Sequence, residues 1–421
     1  MNTSGFSNGT ILVPNVADMT SWSVIASDQF TSQPQYWQEV AQLVQTRPST
    51  LNLIIPECGS VTDDMDQRIA SVGRAMRTYL RRHLFCEHND YIYTQRTLQN
   101  GKVRRGLVGL VDLECFDPRP GSRSPIRSTE HVIPSTMEIR TQIRATAPLE
   151  VSHIQLLIDD PQGLVIEPLA DEAGEMTPLY DFDLMKDSGH ITGSLVTPEQ
   201  SARIDRALQA LGDRQRLLDQ YGEAGENGFV FAIGDGNNSL CTAKLHWENL
   251  KQSLSAEKLK NHPARYALAE VINLHDPALE FGPINRILFG VDVPQFLRQM
   301  EKECDLSYTP CEGQTFEYVV GGQLRRAWVR RPSSNVVTGT VQNFIDEYIQ
   351  NFSGKVDYVH GSGIVCQLSM QKDNIGFLFP SIRKEELFPT VLLDGRLPRK
   401  TFSMGVAEDK RFYLECRRIT K

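Results

Sequence analysis

The stretch FVFAIGDGNNSLCTAKLHWENLK, residues 229 to 251, decides how this chain is interpreted. Five apolar residues lead into a polar turn that contains two glycines, and a segment with helical spacing follows directly. A strand that ends in a glycine turn at the start of a helix is the arrangement in which backbone amides can face an anion. The same pattern also occurs as a plain capped turn that binds nothing, and the residues alone leave both interpretations open.

The turn combines two glycines with an acid. Gly234 and Gly236 permit positive φ angles and a close approach of the backbone. Asp235 between them would repel a phosphate unless it holds Mg²⁺ or orients a hydroxyl group beside the phosphate. An Asx turn that stabilises its own backbone is the alternative. Asn238 or Ser239 is predicted to cap the helix. The apolar side of that helix would consist of Leu240, Ala243, Trp247 and Leu250.

Three common phosphate-binding patterns do not match this turn. The P-loop requires GxxxxGK followed by Ser or Thr, and no lysine follows these glycines at that spacing. The dinucleotide fingerprint requires a third glycine where Ser239 stands, and an acid at the end of the next strand. Glu248 and Glu257 fall in helical surroundings instead. The HRD and DFG motifs of protein kinases do not occur in the sequence.

Composition limits the class of protein. The 421 residues allow two or three domains, and 40% hydrophobic with 23% charged residues is ordinary globular usage. The first residues do not resemble a secretory signal, and the longest apolar runs are far too short to cross a bilayer. Eight cysteines form no C-x-x-C pair. We therefore expect a reduced cytoplasmic protein without membrane contact.

The formal charge of −8, from 44 Lys+Arg against 52 Asp+Glu, argues against a nucleic acid partner.

Strand-like and helix-like segments alternate along the chain, which predicts a mixed α/β or α+β fold. Thr197 with Gln200 forms a capping box at the start of the clearest helical region, TPEQSARIDRALQALGDRQRLLDQYG. A block with short aromatic-rich strand candidates, QTFEYVVGG, GIVCQLSM and NIGFLFPS, lies beyond residue 300 and includes the helix candidate VQNFIDEYIQNF. We place a soft boundary at residues 295 to 305, which gives a core of 1–300 and a C-terminal α+β block of 301–421.

Several segments resemble the prokaryotic family catalogued as domain of unknown function 1015. These segments, which together extend from residue 11 to residue 418, are ILVPNVADMTSWSVIASDQFTS, SPIRSTE, FAIGDGNNSLCTAKLHWENLK, HPARYALAEVINLHDPALEFGPINRILF and LPRKTFSMG. The family motif is Asp-Gly, then two His or Asn residues, then Ser or Arg. Both variable positions are asparagine here, Asn237 and Asn238. The Asp-Gly-His-His-Arg form is in turn similar to the loop of the free serine kinases of the ParB and sulfiredoxin superfamily.

This resemblance implies a ParB/sulfiredoxin-like catalytic core and a set of site residues. The phosphate and metal cradle would be Asp235, Gly236, Asn237, Asn238 and Ser239, with Mg²⁺ on Asp235. Glu130 matches the catalytic glutamate, whose carboxylate accepts the proton of a serine hydroxyl; a surface acid in a flexible loop is the alternative. The positive charges that stabilise the phosphoryl group during transfer would come from Arg127, Arg265, Arg286 and Lys400. Each of these four also fits a solvated surface charge.

Three further residues are candidates for contact with the substrate. Asp28 ends a predicted strand with Thr31 close behind, which suits a substrate amine or a helix cap. His275 follows an apolar run and stands beside Asp276, which also fits a satisfied buried histidine.

The function implied by the resemblance is phosphoryl transfer to a small molecule. The main hypothesis is a free L-serine kinase that forms O-phospho-L-serine, with pyrophosphate, ADP or ATP as the donor and Mg²⁺ present. The C-terminal block would contribute to the site through Lys400. A ParB-like switch that binds a nucleotide and controls association with a partner is one alternative. A phosphohydrolase that uses the same loop with water is another.

Overall fold

The computed structural model describes residues 4–31, 33–58, 64–119, 121–130, 134–222, 228–359, 361–398 and 400–421. Contacts divide the chain into two compact units. Unit 1 holds the described residues up to Ser128, those from 134 to Leu279, and a tail, Gly405–Lys421. Unit 2 holds Thr129 and Glu130 together with Glu280–Met404.

The described residues of unit 1 up to Leu279 form thirteen strands and nine α-helices. The strands are β1 Phe6–Ser7, β2 Thr10–Pro14, β3 Val24–Ile25, β4 Phe85–Asn89, β5 Ile92–Thr97, β6 Val103–Asp112, β7 Ile126–Arg127, β8 Leu149–Val151, β9 Gln155–Ile158, β10 Thr177–Asp183, β11 His190–Leu195, β12 Phe231–Asp235 and β13 Tyr266–Asn273. The helices are α1 Met19–Trp22, α2 Pro34–Val44, α3 Met65–Arg81, α4 Pro134–Thr146, α5 Pro168–Asp171, α6 Pro198–Leu211, α7 Arg214–Tyr221, α8 Asn237–Ser253 and α9 Ala256–Leu259. Short 3-10 turns lie at Thr50–Leu53, Leu113–Cys115, Ala173–Glu175 and Pro263–Arg265.

Unit 2 has its own sheet and helices. Its strands are β14 Phe281–Pro283, β15 Asn285–Phe289, β16 Leu306–Ser307, β17 Gln314–Val320, β18 Gln323–Val329, β19 Lys355–Val359, β20 Ile375–Leu378 and β21 Phe402–Met404. Its helices are α10 Val293–Cys304, α11 Val337–Asn351, α12 Ser362–Leu368 and α13 Lys384–Leu393. Six of the strands form a sheet in the order β16-β18-β17-β20-β15-β19, and β14 pairs with β21. An aromatic core that includes Phe296, Phe316 and Phe377 packs on this sheet.

The tail returns to unit 1 with a 3-10 turn, Ala407–Asp409, and two strands, β22 Phe412–Tyr413 and β23 Cys416–Arg418. β22 pairs with β3, and β23 lies between β2 and β8 in a four-stranded sheet. The units therefore divide the chain near residue 280 and again near 405, whereas the sequence predicts one boundary at 295 to 305. The physical reason is strand pairing: the partners of β15 are β19 and β20, both downstream, and the partners of the tail are upstream.

A nine-stranded mixed sheet is the centre of unit 1. Eight strands follow the order β10-β11-β5-β6-β13-β9-β12-β7, and β1 pairs with β6. β9 runs parallel to β13 and antiparallel to β12, while β12 runs parallel to β7. A large apolar core packs on it, and Phe231, Leu240 and Trp247 bring β12 and α8 into that core. The fold is mixed α/β, as the sequence predicts.

Individual elements test the sequence predictions. The capping box of Thr197 and Gln200 starts α6 as predicted. The strand predicted for GIVCQLSM is wrong, because this segment contains the helix α12. Val365 of α12 is buried over Gly376 of β20, where the missing Cβ leaves room for the helix. A short apolar run fits both periodicities, and only this packing selects the helix. No helix in the described part of the chain is both long and apolar enough to cross a membrane.

Candidate functional site

The turn between β12 and α8 has the geometry that the sequence predicts. Gly236 has φ +84°, and a Cβ there would lie 3.0 Å from the Cα of Ile154. The first helical hydrogen bond runs from Leu240 N to Gly236 O at 3.0 Å, so the amides of residues 237 to 239 precede the hydrogen-bonded ladder. The predicted cap by Asn238 or Ser239 is wrong. Gly236 itself is the N-cap, because only glycine adopts this conformation without strain, and the two polar residues lie in the first turn.

Asp235 contacts both backbone and a lysine. Its Oδ1 accepts a hydrogen bond from Gly236 N at 2.8 Å, which is a local contact of the kind that an Asx turn provides. Its Oδ2 lies 3.3 Å from Lys410 Nζ of the tail. The acid is therefore held at the start of α8 with a positive charge beside it.

Three side chains meet at this point, and we call Asp28, His153 and Asp235 the buried cluster. One ligand atom from each lies within 4.8 Å of the other two. His153 is 3% exposed. Its Nδ1 lies 3.0 Å from the hydroxyl of Tyr413, whereas its Nε2 has no hydrogen-bond partner and lies 3.7 Å from Asp28 Oδ2. An imidazole nitrogen thus faces two carboxylates.

Arg140 of α4 connects the buried cluster to the first turn of α8. Its guanidinium donates to Ser239 Oγ at 2.7 Å and to Glu57 Oε1 at 2.9 Å, and it lies 3.7 Å from Asp28 Oδ2. The Asp-Gly-His-His-Arg form of the motif has an arginine where Ser239 stands. Here a helix distant in sequence places a guanidinium at that position instead.

Burial and charge shift the pKa values of these groups. Burial alone would raise the pKa of the Asp28 carboxyl, but the neighbouring His153 and the charge of Arg140 outweigh burial and lower it. Burial alone would lower the pKa of Arg140, and the charges of Glu57 and Asp28 raise it. Burial raises the pKa of Tyr413 to about 12, and the charge of Asp28 adds to the increase. The site therefore holds an ionised carboxylate, a guanidinium and a protonated phenol at neutral pH.

A buried ion network fixes the segments that carry His153 and Lys410. Arg411 donates to Glu270 at 3.1 Å, to Glu415 at 2.7 Å and to the backbone oxygen of Ser152 at 2.6 Å. Burial alone would raise the pKa of Glu270, but the charge of Arg411 is the main effect that outweighs it and lowers the pKa. Breaking a buried pair of this kind leaves an uncompensated charge and costs about 3–5 kcal/mol.

A cavity of about 480 Å³ opens beside the first turn of α8. Ser239, Arg140 and Glu57 contribute polar groups to it. Most of its wall is apolar and comes from Leu53, Ile54, Ile55, Met65, Met76, Ile139, Ile143, Ala147 and Leu149. An apolar pocket with a few convergent polar groups is the usual form of a small-molecule site.

The donor set of the buried cluster does not match the ion predicted from the sequence. Mg²⁺ prefers oxygen ligands in near-octahedral geometry. The two carboxylates fit this preference, but the third donor is an imidazole nitrogen of His153, and imidazole suits transition metals better. Asp235, which the sequence predicts as the metal ligand, lies beside Asp28 and His153.

Among the predicted substrate contacts, only Asp28 lies in the buried cluster. Thr31 is exposed in the turn before α2. His275 Nε2 lies 2.6 Å from Asp159 Oδ1, at the opposite end of β9 from Asp235. Asp159 also accepts from Gln220 and Tyr221, so the alternative of a satisfied histidine describes His275.

Two predicted phosphate-binding arginines of unit 1 have other partners. Arg265 binds Asp112 through two hydrogen bonds of 2.9 and 2.7 Å, at the start of β13. Arg127 of β7 is 7% exposed and lies 4.7 Å from the ring of Phe229. Its backbone partner on β12 is Ala232, three residues before Asp235. Both placements favour structural roles, and Arg127 is the nearer of the two to the turn.

Glu130, Arg286 and Lys400 belong to unit 2. Glu130 Oε1 accepts a hydrogen bond from the backbone of Lys400 at 3.2 Å. Arg286 is fully buried, donates to Gln342 at 3.0 Å and lies 5.2 Å from the rings of Tyr358 and Phe379. Burial lowers the pKa of Arg286 to about 10. Its position within the unit 2 core favours a structural role; Arg399, the neighbour of Lys400, lies outside the described residues.

Sequence reasoning missed four residues of the site: Arg140, His153, Lys410 and Tyr413. The histidine had a local signal, because it directly precedes the apolar strand β9, just as Asp28 follows the strand β3. Lys410 and Tyr413 had none, since nothing near residue 410 indicates that the tail pairs with β3.

The fold and site define a mixed α/β protein with a glycine turn and a carboxylate–imidazole cluster at the start of one helix. The family model described as "Protein of unknown function (DUF1015)" matches residues 12–348. The chain belongs to this family. No curated protein matches it.

Several solved structures have a low similarity to this chain. A free serine kinase mutant in complex with AMP is 11% identical, with a TM-score of 0.38, covering 76% of this chain and 92% of that one. SbnI with a C-terminal truncation from Staphylococcus aureus is 8% identical, with a TM-score of 0.37 and coverage of 71% and 82%. A conserved hypothetical protein from Pyrococcus furiosus is 11% identical, with a TM-score of 0.35 and coverage of 74% and 94%. Likeness at this level carries no argument about activity.

Proposed function

We propose that this chain is a phosphotransferase that acts on an alcohol group of a small molecule, most specifically a kinase for free L-serine. The observation that carries the proposal is the meeting of the glycine turn with Arg140 and Lys410 at the start of α8. Helix-start amides and two cations together form a site for a polyanion. The sequence resemblance to free serine kinases points to the same activity.

The donor phosphates would lie against the first turn of α8. The amides of residues 237 to 239 would face the phosphate oxygens. Arg140 and Lys410 would stabilise the charge on the moving phosphoryl group, since both already lie beside the turn and both are held by carboxylates. These two residues would take the role that the resemblance assigns to Arg127, Arg265, Arg286 and Lys400.

The cavity supports a nucleotide as the donor in place of pyrophosphate. Its wall is mainly apolar and begins at Ser239 and Arg140, which are the residues proposed to hold phosphate. A nucleobase gains free energy by burial against such a wall, whereas pyrophosphate has no apolar surface to bury. ADP or ATP therefore fits the site better.

Two residues are proposed to act on serine, the acceptor of the phosphoryl group. Asp28 is an ionised carboxylate beside the turn and would bind the amino group of serine. Glu130 is proposed as the base that accepts the hydroxyl proton, and this role rests on the sequence resemblance alone.

The experiment is a direct product assay. The full chain is incubated with L-serine, divalent metal ions and ATP, ADP or pyrophosphate in turn, and phosphoserine is measured by mass spectrometry. We expect product with a nucleotide. Phosphate released without phosphoserine would assign a phosphohydrolase, and no product of either kind from folded protein would reject the proposal.

A pair of arginine variants tests the site itself. Arg140→Met should lower kcat/KM by about 10²-fold, because one charge-stabilising donor is lost. Arg203→Met is the matched control, since Arg203 of α6 also binds a carboxylate, Glu172, but does not line the cavity. Equal activity of the two variants would contradict the assignment.

A further inference from the structure

We propose that Asp28, His153 and Asp235 bind one divalent first-row transition-metal ion, such as Mn²⁺, Fe²⁺ or Zn²⁺, in preference to Mg²⁺. The inference concerns the same region as the proposed function, but it depends on binding of the ion, which is measured without turnover. Failure of the kinase assay would therefore leave it standing.

The first argument is geometric. Ligand atoms lie about 2.0–2.2 Å from a bound zinc ion, so two ligand atoms of one ion are at most about 4.4 Å apart. The three donor atoms of the buried cluster lie within 4.8 Å of one another. Small rotations of Asp28 and Asp235, which are only partly buried, would bring all three into reach of one ion.

The second argument is the unpartnered nitrogen of His153. The side chain is 97% buried, and its Nε2 has no hydrogen-bond partner. A buried polar atom without a partner costs free energy, and this one lies 3.7 Å from a carboxylate oxygen of Asp28. A cation between them would satisfy all three groups at once.

The surroundings of His153 fit those of a metal-binding histidine. Such a residue holds its proton on the nitrogen that does not bind the ion, and a neighbour accepts that proton. The hydroxyl of Tyr413 lies 3.0 Å from Nδ1 and can accept it. Ser27 N donates to the same hydroxyl at 3.3 Å and so helps to hold the phenol in place.

The local charge also fits a divalent ion. Asp28, Glu57 and Asp235 supply three negative charges, and Arg140 and Lys410 supply two positive charges, which leaves −1 when His153 is neutral. A divalent ion changes this balance to +1. The site would then attract an anionic ligand to the start of α8.

The choice of ion follows from the donor types. Two carboxylates and one imidazole form a set of oxygen and nitrogen ligands. Transition metals bind such a mixed set, whereas Mg²⁺ prefers oxygen ligands. Mn²⁺ is the best probe, because the eight cysteines are free thiols and would bind Zn²⁺ elsewhere.

The test uses the full chain after treatment with a chelator. Isothermal titration with MnCl₂ and with MgCl₂ should show one Mn²⁺ per chain, bound at least about tenfold more tightly than Mg²⁺. His153→Ala should weaken Mn²⁺ binding by about 100-fold. His190→Ala is the matched control, because His190 also contacts two aspartates but lies on the exposed β10–β11 hairpin.

A second measurement uses the unmodified chain, so its result does not depend on the folding of a variant. Pulsed electron paramagnetic resonance of the Mn²⁺-loaded protein should detect hyperfine coupling to a directly bound nitrogen. Equal affinity for Mg²⁺ and Mn²⁺, no bound ion, or bound Mn²⁺ without nitrogen coupling would each overturn the proposal.

Discussion

Two regions of unit 1 contain the same three side chains, one histidine and two aspartates, in opposite settings. In the buried cluster, His153 is 3% exposed and its Nε2 has no hydrogen-bond partner. On the β10–β11 hairpin, His190 Nδ1 lies 2.7 Å from Asp183 and its Nε2 lies 2.9 Å from Asp181. The side chains of these two aspartates are 84% and 74% exposed.

The difference shows that residue types alone do not define a site. On the hairpin the two ring nitrogens point in opposite directions, each with its own carboxylate, so one ion cannot contact all three groups. Water screens these charges, and such exposed pairs contribute little. In the buried cluster both carboxylates lie on the side of one nitrogen, and burial makes that arrangement costly without a bound cation.

The largest expected effect is a loss of activity when an aspartate of the buried cluster becomes asparagine. The same change on the hairpin is its control. Asp235→Asn should lower kcat/KM for phosphoserine formation by about 10³-fold, or about 4 kcal/mol, because the carboxylate at the start of α8 loses its charge. Asp181→Asn should leave kcat/KM unchanged, since this aspartate is solvated. Steady-state kinetics with ATP or ADP measures both, and circular dichroism confirms folding. Similar losses in the two variants would remove the distinction between the regions.

A smaller effect should follow from filling the cavity beside the first turn of α8. Ala147 is 4% exposed and lines this cavity, so Ala147→Leu places three carbon atoms into it. We expect the dissociation constant for ADP to rise about tenfold, which is about 1.4 kcal/mol. Ala75→Leu is the control, because Ala75 lines a neighbouring groove instead. Titration calorimetry that finds unchanged ADP affinity in Ala147→Leu would place the nucleotide elsewhere.

The smallest effect concerns pH and a third histidine. Burial lowers the pKa of His246 on α8 to about 4 from its ordinary value of 6.5, and the charge of Arg144 adds to this. The unfolded chain therefore takes up a proton first as the pH falls, and the contribution of His246 to stability, present above pH 6.5, is lost towards pH 4. We expect Tm to fall less steeply over this range in His246→Gln.

His190→Gln provides the comparison, because it removes an imidazole of the β10–β11 hairpin whose side chain is 38% exposed. Scanning calorimetry from pH 7 to 4 measures both variants. Parallel Tm curves for His246→Gln and the unmodified chain would show that this imidazole titrates normally.

The sequence predicts the local features of the fold well. The glycine turn before α8 and the capping box of α6 depend on neighbouring residues, and both occur where the pattern indicates. The helix α12 was missed because a short segment with few apolar residues fits two periodicities, and the packing of Val365 over Gly376 is not visible in the sequence.

The site is harder to predict because its residues come together only through long-range pairing. Asp28, His153 and Asp235 follow or precede different strands, and Lys410 arrives with the tail. The resemblance pointed to the turn at Asp235. It could not indicate Arg140, because this guanidinium comes from another helix where the related motif has its own arginine.

The returning tail also has a consequence for synthesis on the ribosome. The first part of unit 1 is made before unit 2, yet Lys410 and Tyr413 emerge only after Met404. A nascent chain that has passed Leu279 already contains Asp28, His153 and Asp235, but not the lysine and phenol beside them. The cation beside Asp235 and the hydroxyl beside His153 therefore join these residues only after all of unit 2 has been made.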